Sequence, residues 1–308
     1  MTVNRIDDRP GLFAYKTAPH FDGLAALDAF DPTEGADELS FEQWSEPLEP
    51  GWTDVQSFTF TDGHAGLLFV DGTGQRIALG RVREDGTGVD IMRRAEDVAS
   101  ADEWTIISRI SRMDGTTPAL MGYNRETGAT WMIGPDPTGP NALRLGGPAG
   151  LPPEWDHLHI LERQDGLIIF GQNQEGGSAQ LMAAVDGEDR FLQLWEEPWR
   201  PGERLIELLP APSSAVFVYE PGTGGWEVRS LAPTGSELAA EGGWRTGFSV
   251  LLPFNMHTGQ HVLGYDAETG EVEVLRLNGQ DGEVVWEYRW SEGWDVQRPL
   301  QWAARASH

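Results

Sequence analysis

The segment GWTDVQSFTFTDGHAGLLFVDGTGQ (51–75) returns near the other end of the chain as TGFSVLLPFNMHTGQHVLGYDAETGEV (246–272). Both run in one order: an aromatic anchor, an apolar run, a turn, a second apolar run and a second turn. A chain that rewrites one unit must pack the copies against each other, because a single copy cannot bury its own apolar faces. Anchored on Trp52, Trp104, Trp155, Glu203, Phe248 and Trp294, the unit recurs after 52, 51, 48, 45 and 46 residues.

Each unit opens with a run such as TDVQSFTF, TIISRISR, DHLHILER, RLIELLPA or SVLLPFNM, and a second run follows (AGLLFVD, PALMGYN, GLIIFGQ, SAVFVYE, HVLGYDA). Turns of shared chemistry come next, DGTGQ, RETGA, QEGGS, PGTGG and AETGE, whose glycines suit tight hairpins. Two more runs complete the unit. Short runs rich in Val, Ile, Leu and aromatics, cut by Gly/Asp turns, read as strands. Four antiparallel strands per unit make a propeller blade. The final GWDVQRPLQW holds only an anchor and a first strand, while residues 11–47 hold the remaining three. The sequence therefore predicts an all-β, six-bladed β-propeller. Blade 1 is 11–47 plus 294–302, blades 2–6 span 52–293, and the last strand of the chain closes the first blade.

The stretches WSEPLEPGWTDVQSFTF and WEYRWSEGWDVQRPL resemble the tectonin and tachylectin-like propellers, whose blades carry W…GW…F before an apolar strand and a Gly turn. That resemblance implies sugar binding and transfers no catalytic residue. The middle units depart from it, with Glu203 in the aromatic position and GGPAGLPPEW in place of W…GW.

Charge narrows the partners. A formal net charge of -27 with a pI near 4.4 repels phosphate backbones and anionic membrane surfaces, so neither is an expected partner. No run approaches the roughly 18 apolar residues that span a bilayer. The start MTVNRIDDRPGLFAYK lacks the pattern of a secretory signal, so a cytoplasmic location is the expectation. Without cysteine there is no disulfide, thiolate nucleophile or Cys-based zinc site, and Lys16 is the only lysine. No cofactor fingerprint or resident metal is expected, and oligomeric state is left open.

Candidate site residues come from the first strand of each unit, which lines the axis of a propeller. Four residues past the anchors lie Arg298, Gln56, Ser108, His159, Glu207 and Leu252; two earlier lie Val296, Asp54, Ile106, His157, Leu205 and Val250. Polar groups in an apolar strand are costly unless paired or wet, and a water-filled channel provides for them. His159 and Glu207 come from adjacent units, so a contact that raises the imidazole pKa is feasible. Against this stands an ordinary polar, water-filled tunnel. His157 and His159, with Asp54 or Glu207, offer a metal-binding alternative. His20, His64, His257 and His261 fall in loops and are expected in solvent. Asp85 and Asp90 in EDGTGVD suggest a calcium loop, but the segment matches the second turn of the other units and reads as a hairpin. Ten of the 13 Trp recur at packing positions, whereas Trp131 and Trp226 stand alone in third strands and are ligand-contact candidates.

Three functions fit. The leading expectation is a ligand-binding propeller, lectin-like, taking a glycan or other small molecule through Trp131, Trp226, Gln56, Ser108, His157 and Asp54. The alternative is an enzyme with one axial site, a cyclase, hydrolase or isomerase, in which His159 and Glu207 act as acid and base and Arg298 holds an anionic group. The third is a protein-interaction platform.

Overall fold

The computed structural model describes residues 11–17, 23–30, 40–60, 64–71, 76–95, 106–111, 118–135, 142–146, 150–163, 166–185, 190–210, 214–256, 258–279, 281–294 and 296–300. These form an all-β propeller with four antiparallel strands per sheet. Among the described residues there are 24 strands: β1 (Gly11–Tyr15), β2 (Leu24–Phe30), β3 (Ser40–Pro47), β4 (Asp54–Thr59), β5 (Ala65–Val70), β6 (Ile77–Val82), β7 (Val89–Ala95), β8 (Ile106–Ser111), β9 (Pro118–Tyr123), β10 (Thr130–Pro135), β11 (Ala142–Gly146), β12 (His157–Arg163), β13 (Gly166–Asn173), β14 (Ser178–Ala184), β15 (Phe191–Pro198), β16 (Leu205–Leu208), β17 (Ala215–Tyr219), β18 (Gly225–Ala232), β19 (Gly235–Gly243), β20 (Val250–Met256), β21 (Gly259–Tyr265), β22 (Glu271–Asn278), β23 (Asp281–Arg289) and β24 (Val296–Leu300). They fall into six sheets, ordered β24-β1-β2-β3, β4 to β7, β8 to β11, β12 to β15, β16 to β19 and β20 to β23. The first strands are β4 (Asp54–Thr59), β8 (Ile106–Ser111), β12 (His157–Arg163), β16 (Leu205–Leu208), β20 (Val250–Met256) and β24 (Val296–Leu300). Each touches the next, and β20 touches β24, which touches β4, so they close a ring. No helix among the described residues is long and apolar enough to cross a membrane.

Burial falls from the middle of each sheet outward, as the residue types require. The second strands β5 (Ala65–Val70, AGLLFV) and β17 (Ala215–Tyr219, AVFVY) are buried at every residue. Continuous apolar runs suit strands covered on both faces. The outer strands β19 (Gly235–Gly243) and β23 (Asp281–Arg289) are mostly exposed and carry Ser, Glu, Asp and Arg. Between neighbouring sheets lie separate apolar layers, such as Phe217, Tyr219, Trp244, Phe248, Leu251 and Val262 between the sheets of β17 and β21 (Gly259–Tyr265).

The clasp is direct. Strand β24 pairs antiparallel with β1 (Gly11–Tyr15), matching Gly11 to Leu300 and Tyr15 to Val296. Lys16 continues it: its Nζ donates to the Glu292 carbonyl at 2.5 Å and lies over the Trp294 ring. In every sheet the third and fourth strands meet with one register shift, for example between Val274 and Leu275. A bulge at that place strengthens the twist each sheet needs to pack against its neighbours.

Two repeated devices fix the links between sheets. The first is a glycine turn. Gly224 and Gly270 have φ of 73° and 76°, and a Cβ there would meet the Trp244 or Trp290 carbonyl oxygen at 2.0 or 2.2 Å. Each glycine carbonyl in turn accepts from the backbone N–H of that tryptophan. Only glycine meets both demands. The second is a tyrosine latch. Tyr15, Tyr123, Tyr219 and Tyr265 close the second strands of their sheets and donate to carbonyls of Glu49, Pro152, Arg245 and Ser291 in the link to the next sheet. Three of these hydroxyls also accept from the next anchor's N–H, at Trp155, Phe248 and Trp294. The equivalent residue is Val70 opposite Asp54 and Gln172 opposite His157.

The recurrent tryptophans pack. Trp52, Trp155 and Trp294 are buried, as are Trp195, Trp199 and Trp244, and Trp44, Trp286 and Trp290 lie partly buried against the core. Trp104 lies outside the described residues. The EDGTGVD segment is a hairpin turn: Asp85 accepts from the Thr87 N–H and hydroxyl, and Asp90 pairs with Arg83.

Removing the Tyr265 latch takes one partner from the Ser291 carbonyl and from the buried Trp294 N–H. Tyr265→Phe is therefore expected to cost about 1–2 kcal/mol, read from urea denaturation. A change under a few tenths of a kcal/mol would remove the latch from the account of stability.

Candidate functional site

The ring of first strands brings Asp54, Gln56, His157, His159, Glu207 and Arg298 toward one axial channel. All six are partly accessible, unlike the fully covered residues between them such as Val55, Leu158 and Ile206. Alternation along a strand is the local cause: the apolar residues turn into the layers between sheets, and the polar ones turn toward the axis.

One side of the channel is an ion-paired network. Arg298 Nη2 donates to Asp54 Oδ1 at 2.6 Å, across the junction of β24 and β4. Gln56 Nε2 donates to Asp54 Oδ2 at 2.8 Å, and the Val55 N–H donates to Oδ1 at 2.7 Å. Arg298 Nη1 also donates to the Gln297 carbonyl. The Arg298 and Asp54 side chains remain 29% and 19% exposed. Its guanidinium is already matched by a carboxylate, so it is not a bare anion receptor.

The other side holds groups whose charged forms are disfavoured. Enclosure pushes the Glu207 carboxyl up to about 7; nearby Arg298 opposes that rise and Asp54 adds to it. Enclosure first and neighbouring His157 second lower the His159 imidazole to about 3, against a smaller upward pull from the Ile206 carbonyl. The His157 and His159 rings lie parallel, 6.4 Å apart. His157 is likewise lowered by burial; its Nε2 meets the Arg204 carbonyl at 2.9 Å and Gln174 Nε2 at 2.6 Å. His159 Nε2 is buried without a partner.

These facts bear on three expectations. Glu207 does not raise the His159 pKa: a carboxyl held largely protonated below neutrality cannot favour an imidazolium, and the ring meets a backbone carbonyl instead. Trp226 is 2% exposed and stacked on Phe217 at 5.7 Å, in the layer that β18 (Gly225–Ala232) makes toward β20 to β23, and it also lines a cavity bounded by Arg204, Glu220 and Glu241. His261 lies in β21, buried and stacked on Phe254, with Nδ1 against the Gly259 carbonyl. His64 is bonded to Glu84, and His20 and His257 lie outside the described residues. Trp131 is in β10 (Thr130–Pro135) opposite Gly122, and Ser108 is in β8 opposite Met121; their side chains lie outside the description. Among the described residues, no group of three or more His, Asp or Glu is placed to hold a metal ion.

No protein-family model matches this chain, and no curated protein matches it. Its fold does match solved structures. A periplasmic gluconolactonase of Pseudomonas aeruginosa aligns with a TM-score of 0.58 at 16% identity, covering 95% of this chain and 85% of that one. Putative 6-phosphogluconolactonases of Bacteroides fragilis and Bacteroides uniformis align with TM-scores of 0.56 and 0.57, at 10% and 11% identity. Coverage is 96% and 95% of this chain, and 99% of each of those. At such identities the likeness is one of fold.

Two axial groups leave opposite marks on stability. Glu207 keeps its proton in the folded state up to about 7, against 4.5 ordinarily, so its contribution is full below 4.5 and is lost as pH rises toward 7. His159, lowered from 6.5 to about 3, contributes fully above 6.5 and loses that as pH falls toward 3. Glu207→Gln should therefore flatten the decline in thermal midpoint between pH 5 and 7, a gain of roughly 1–3 kcal/mol at neutral pH. Parallel profiles for variant and parent would count against the assignment.

Proposed function

We propose that this propeller binds one small, hydroxyl-rich molecule in its axial channel and that Glu207 moves a proton on it. The observation that carries the reading is a carboxyl poised near 7 beside the Arg298–Asp54–Gln56 network, in the place where first strands from all the sheets converge. A group that titrates at working pH both takes and gives a proton, which is what general acid–base catalysis asks. The fixed carboxylate, guanidinium and amide supply directional donors and acceptors to orient a polar ligand. His159, neutral and with Nε2 unpartnered, adds one more hydrogen-bonding atom.

Divergence between units supports one site over many. The inward residues differ from sheet to sheet, whereas a multivalent lectin repeats its contacts in every pocket. The strongly acidic chain supports a small ligand over a polyanion.

The names of the structural neighbours make a cyclic ester of a sugar acid the first substrate to try. On such a ring the Glu207 carboxylate would take a proton from an attacking water. The water oxygen bonds to the ring carbonyl carbon, the ring C–O bond breaks, and the proton passes to the released oxygen to give the open hydroxy acid. The carboxylate form does this work, so the rate should rise with pH and level off above about 7.

Glucono-δ-lactone hydrolysis, followed in a pH-stat and corrected for the spontaneous reaction, is the direct test. Glu207→Gln should lower kcat by about 10²–10⁴ and leave gluconate binding, measured by calorimetry, largely intact. If the parent protein neither opens sugar lactones nor binds sugar acids, the axial reading fails.

A further inference from the structure

The six sheets serve as comparisons for one another at the residue that opens each first strand. In four of them that residue is Val296, Ile106, Leu205 or Val250, and a latch tyrosine stands directly opposite in the second strand. In the other two it is Asp54 or His157, and the tyrosine is gone, with Val70 or Gln172 in its place. Directly opposed residues share one face of a sheet and lie close together. A phenol ring there, wholly buried as the four latch tyrosines are, would lie against the polar group and strip it of solvent. In this chain a latch and a polar opening residue never occur in the same sheet.

His157 still holds the chain that follows its sheet. Its Nε2 meets the Arg204 carbonyl at 2.9 Å, and Gln174 Nε2 donates to the same oxygen at 2.8 Å. Asp54 is different, because its bonds stay within the ring of first strands. Oδ1 accepts from Arg298 Nη2 at 2.6 Å and from the Val55 N–H at 2.7 Å, and Oδ2 accepts from Gln56 Nε2 at 2.8 Å. What Asp54 changes is charge. With both histidines kept neutral by enclosure, the six axial residues carry no net charge while Glu207 holds its proton, and one negative charge when it does not. A phosphate monoester brings about −1.5 to −2 charges at neutral pH. It would meet the Asp54 carboxylate beside the Arg298 guanidinium, with no surplus positive charge among these six to offset its own. The hydroxyls of a sugar ring are uncharged and both donate and accept, so they suit a carboxylate and a guanidinium side by side.

We infer that Asp54 determines the specificity of the axial channel: by matching Arg298 it admits an uncharged, hydroxyl-rich ring and turns away the phosphorylated form of the same ring. This selection operates in the channel proposed above as the small-molecule site, and so rests on that reading. Asp54→Asn keeps the size of the side chain and leaves the guanidinium charge unmatched, so the channel should then accept a phosphate.

Inorganic phosphate is the probe, because its binding needs no turnover and reads the role of Asp54 apart from the proposed reaction. In calorimetric titrations at neutral pH the parent protein should give no saturable heat with phosphate. Asp54→Asn should give a saturable isotherm, lost again when Arg298→Gln is added, which ties the bound phosphate to Arg298. In pH-stat assays corrected for spontaneous opening, the parent's kcat/KM for glucono-δ-lactone should exceed that for its 6-phosphate by roughly tenfold or more. Asp54→Asn should bring the two values together. Saturable phosphate binding by the parent, equal rates on the two lactones, or no gain of phosphate by a folded Asp54→Asn protein would overturn the role given to Asp54. A parent that opens neither lactone yet behaves as expected toward phosphate leaves this selection standing while the proposed reaction fails.

Discussion

A sheet whose middle strand is apolar on both faces has to be covered on both faces. Strands such as β5 and β17, buried at every residue, impose that demand on this chain. Open stacking would leave the two end sheets each with one bare apolar face. Ring closure removes the ends, and the pairing of β24 with β1 closes the ring. A strand ladder is a strong way to do so, because a row of backbone hydrogen bonds and the adjoining apolar layer are made together. Leu300 and Phe13 lie in the layer against Trp52 and Phe69, so the clasp and the core are one structure.

Closure also creates the site. It forces the first strands to converge, and the residues that alternate away from the apolar layers have only the channel to enter. Enclosure there acts on both kinds of ionisable group in the same physical way, by disfavouring charge. It raises a carboxylic acid and lowers an imidazole, and so moves Glu207 toward neutrality while taking His159 out of the physiological range. Asp54 and Arg298 pair at 2.6 Å beside them. The channel therefore contains a fixed ion pair, a titrating acid and neutral rings. That mixture suits orienting a polar molecule and shifting one proton on it.

The repeat gives meaning to its own exceptions. Tyrosine latches and glycine turns recur because each link must turn the chain into the next sheet at the same angle. Where Gln172 and Glu203 replace the usual tyrosine and aromatic, neither residue improves packing, and partnerless polar atoms collect at that junction instead. Packing alone does not account for such a substitution.

Strand periodicity, Gly turns and the fifty-residue repeat were legible in the amino-acid order, since they follow from alternation and from the φ demands of hairpins. The pairing of Val296–Leu300 with Gly11–Tyr15 was legible too, because the tail carried the strand that the head lacked. Counting two and four residues past each anchor singled out Asp54, Gln56, His157, His159, Glu207 and Arg298 as candidates, and of these Asp54 meets both Arg298 and Gln56. The partners were not legible. Whether Arg298 meets Asp54 or a ligand, whether His159 reaches Glu207 or the Ile206 carbonyl, and which face Trp226 presents depend on sub-ångström distances and on rotations between sheets. The bulge in every outer ladder, which sets those rotations, leaves no mark in residue type. The tyrosine latches were hidden for the same reason: each joins a second strand to the link that leads into the next sheet, and one-dimensional spacing carries no information about contacts across a junction. Alternation along each first strand, readable in the amino-acid order, determined which residues share a face; only the packing of sheet on sheet decided what each of them touches, and hence its charge.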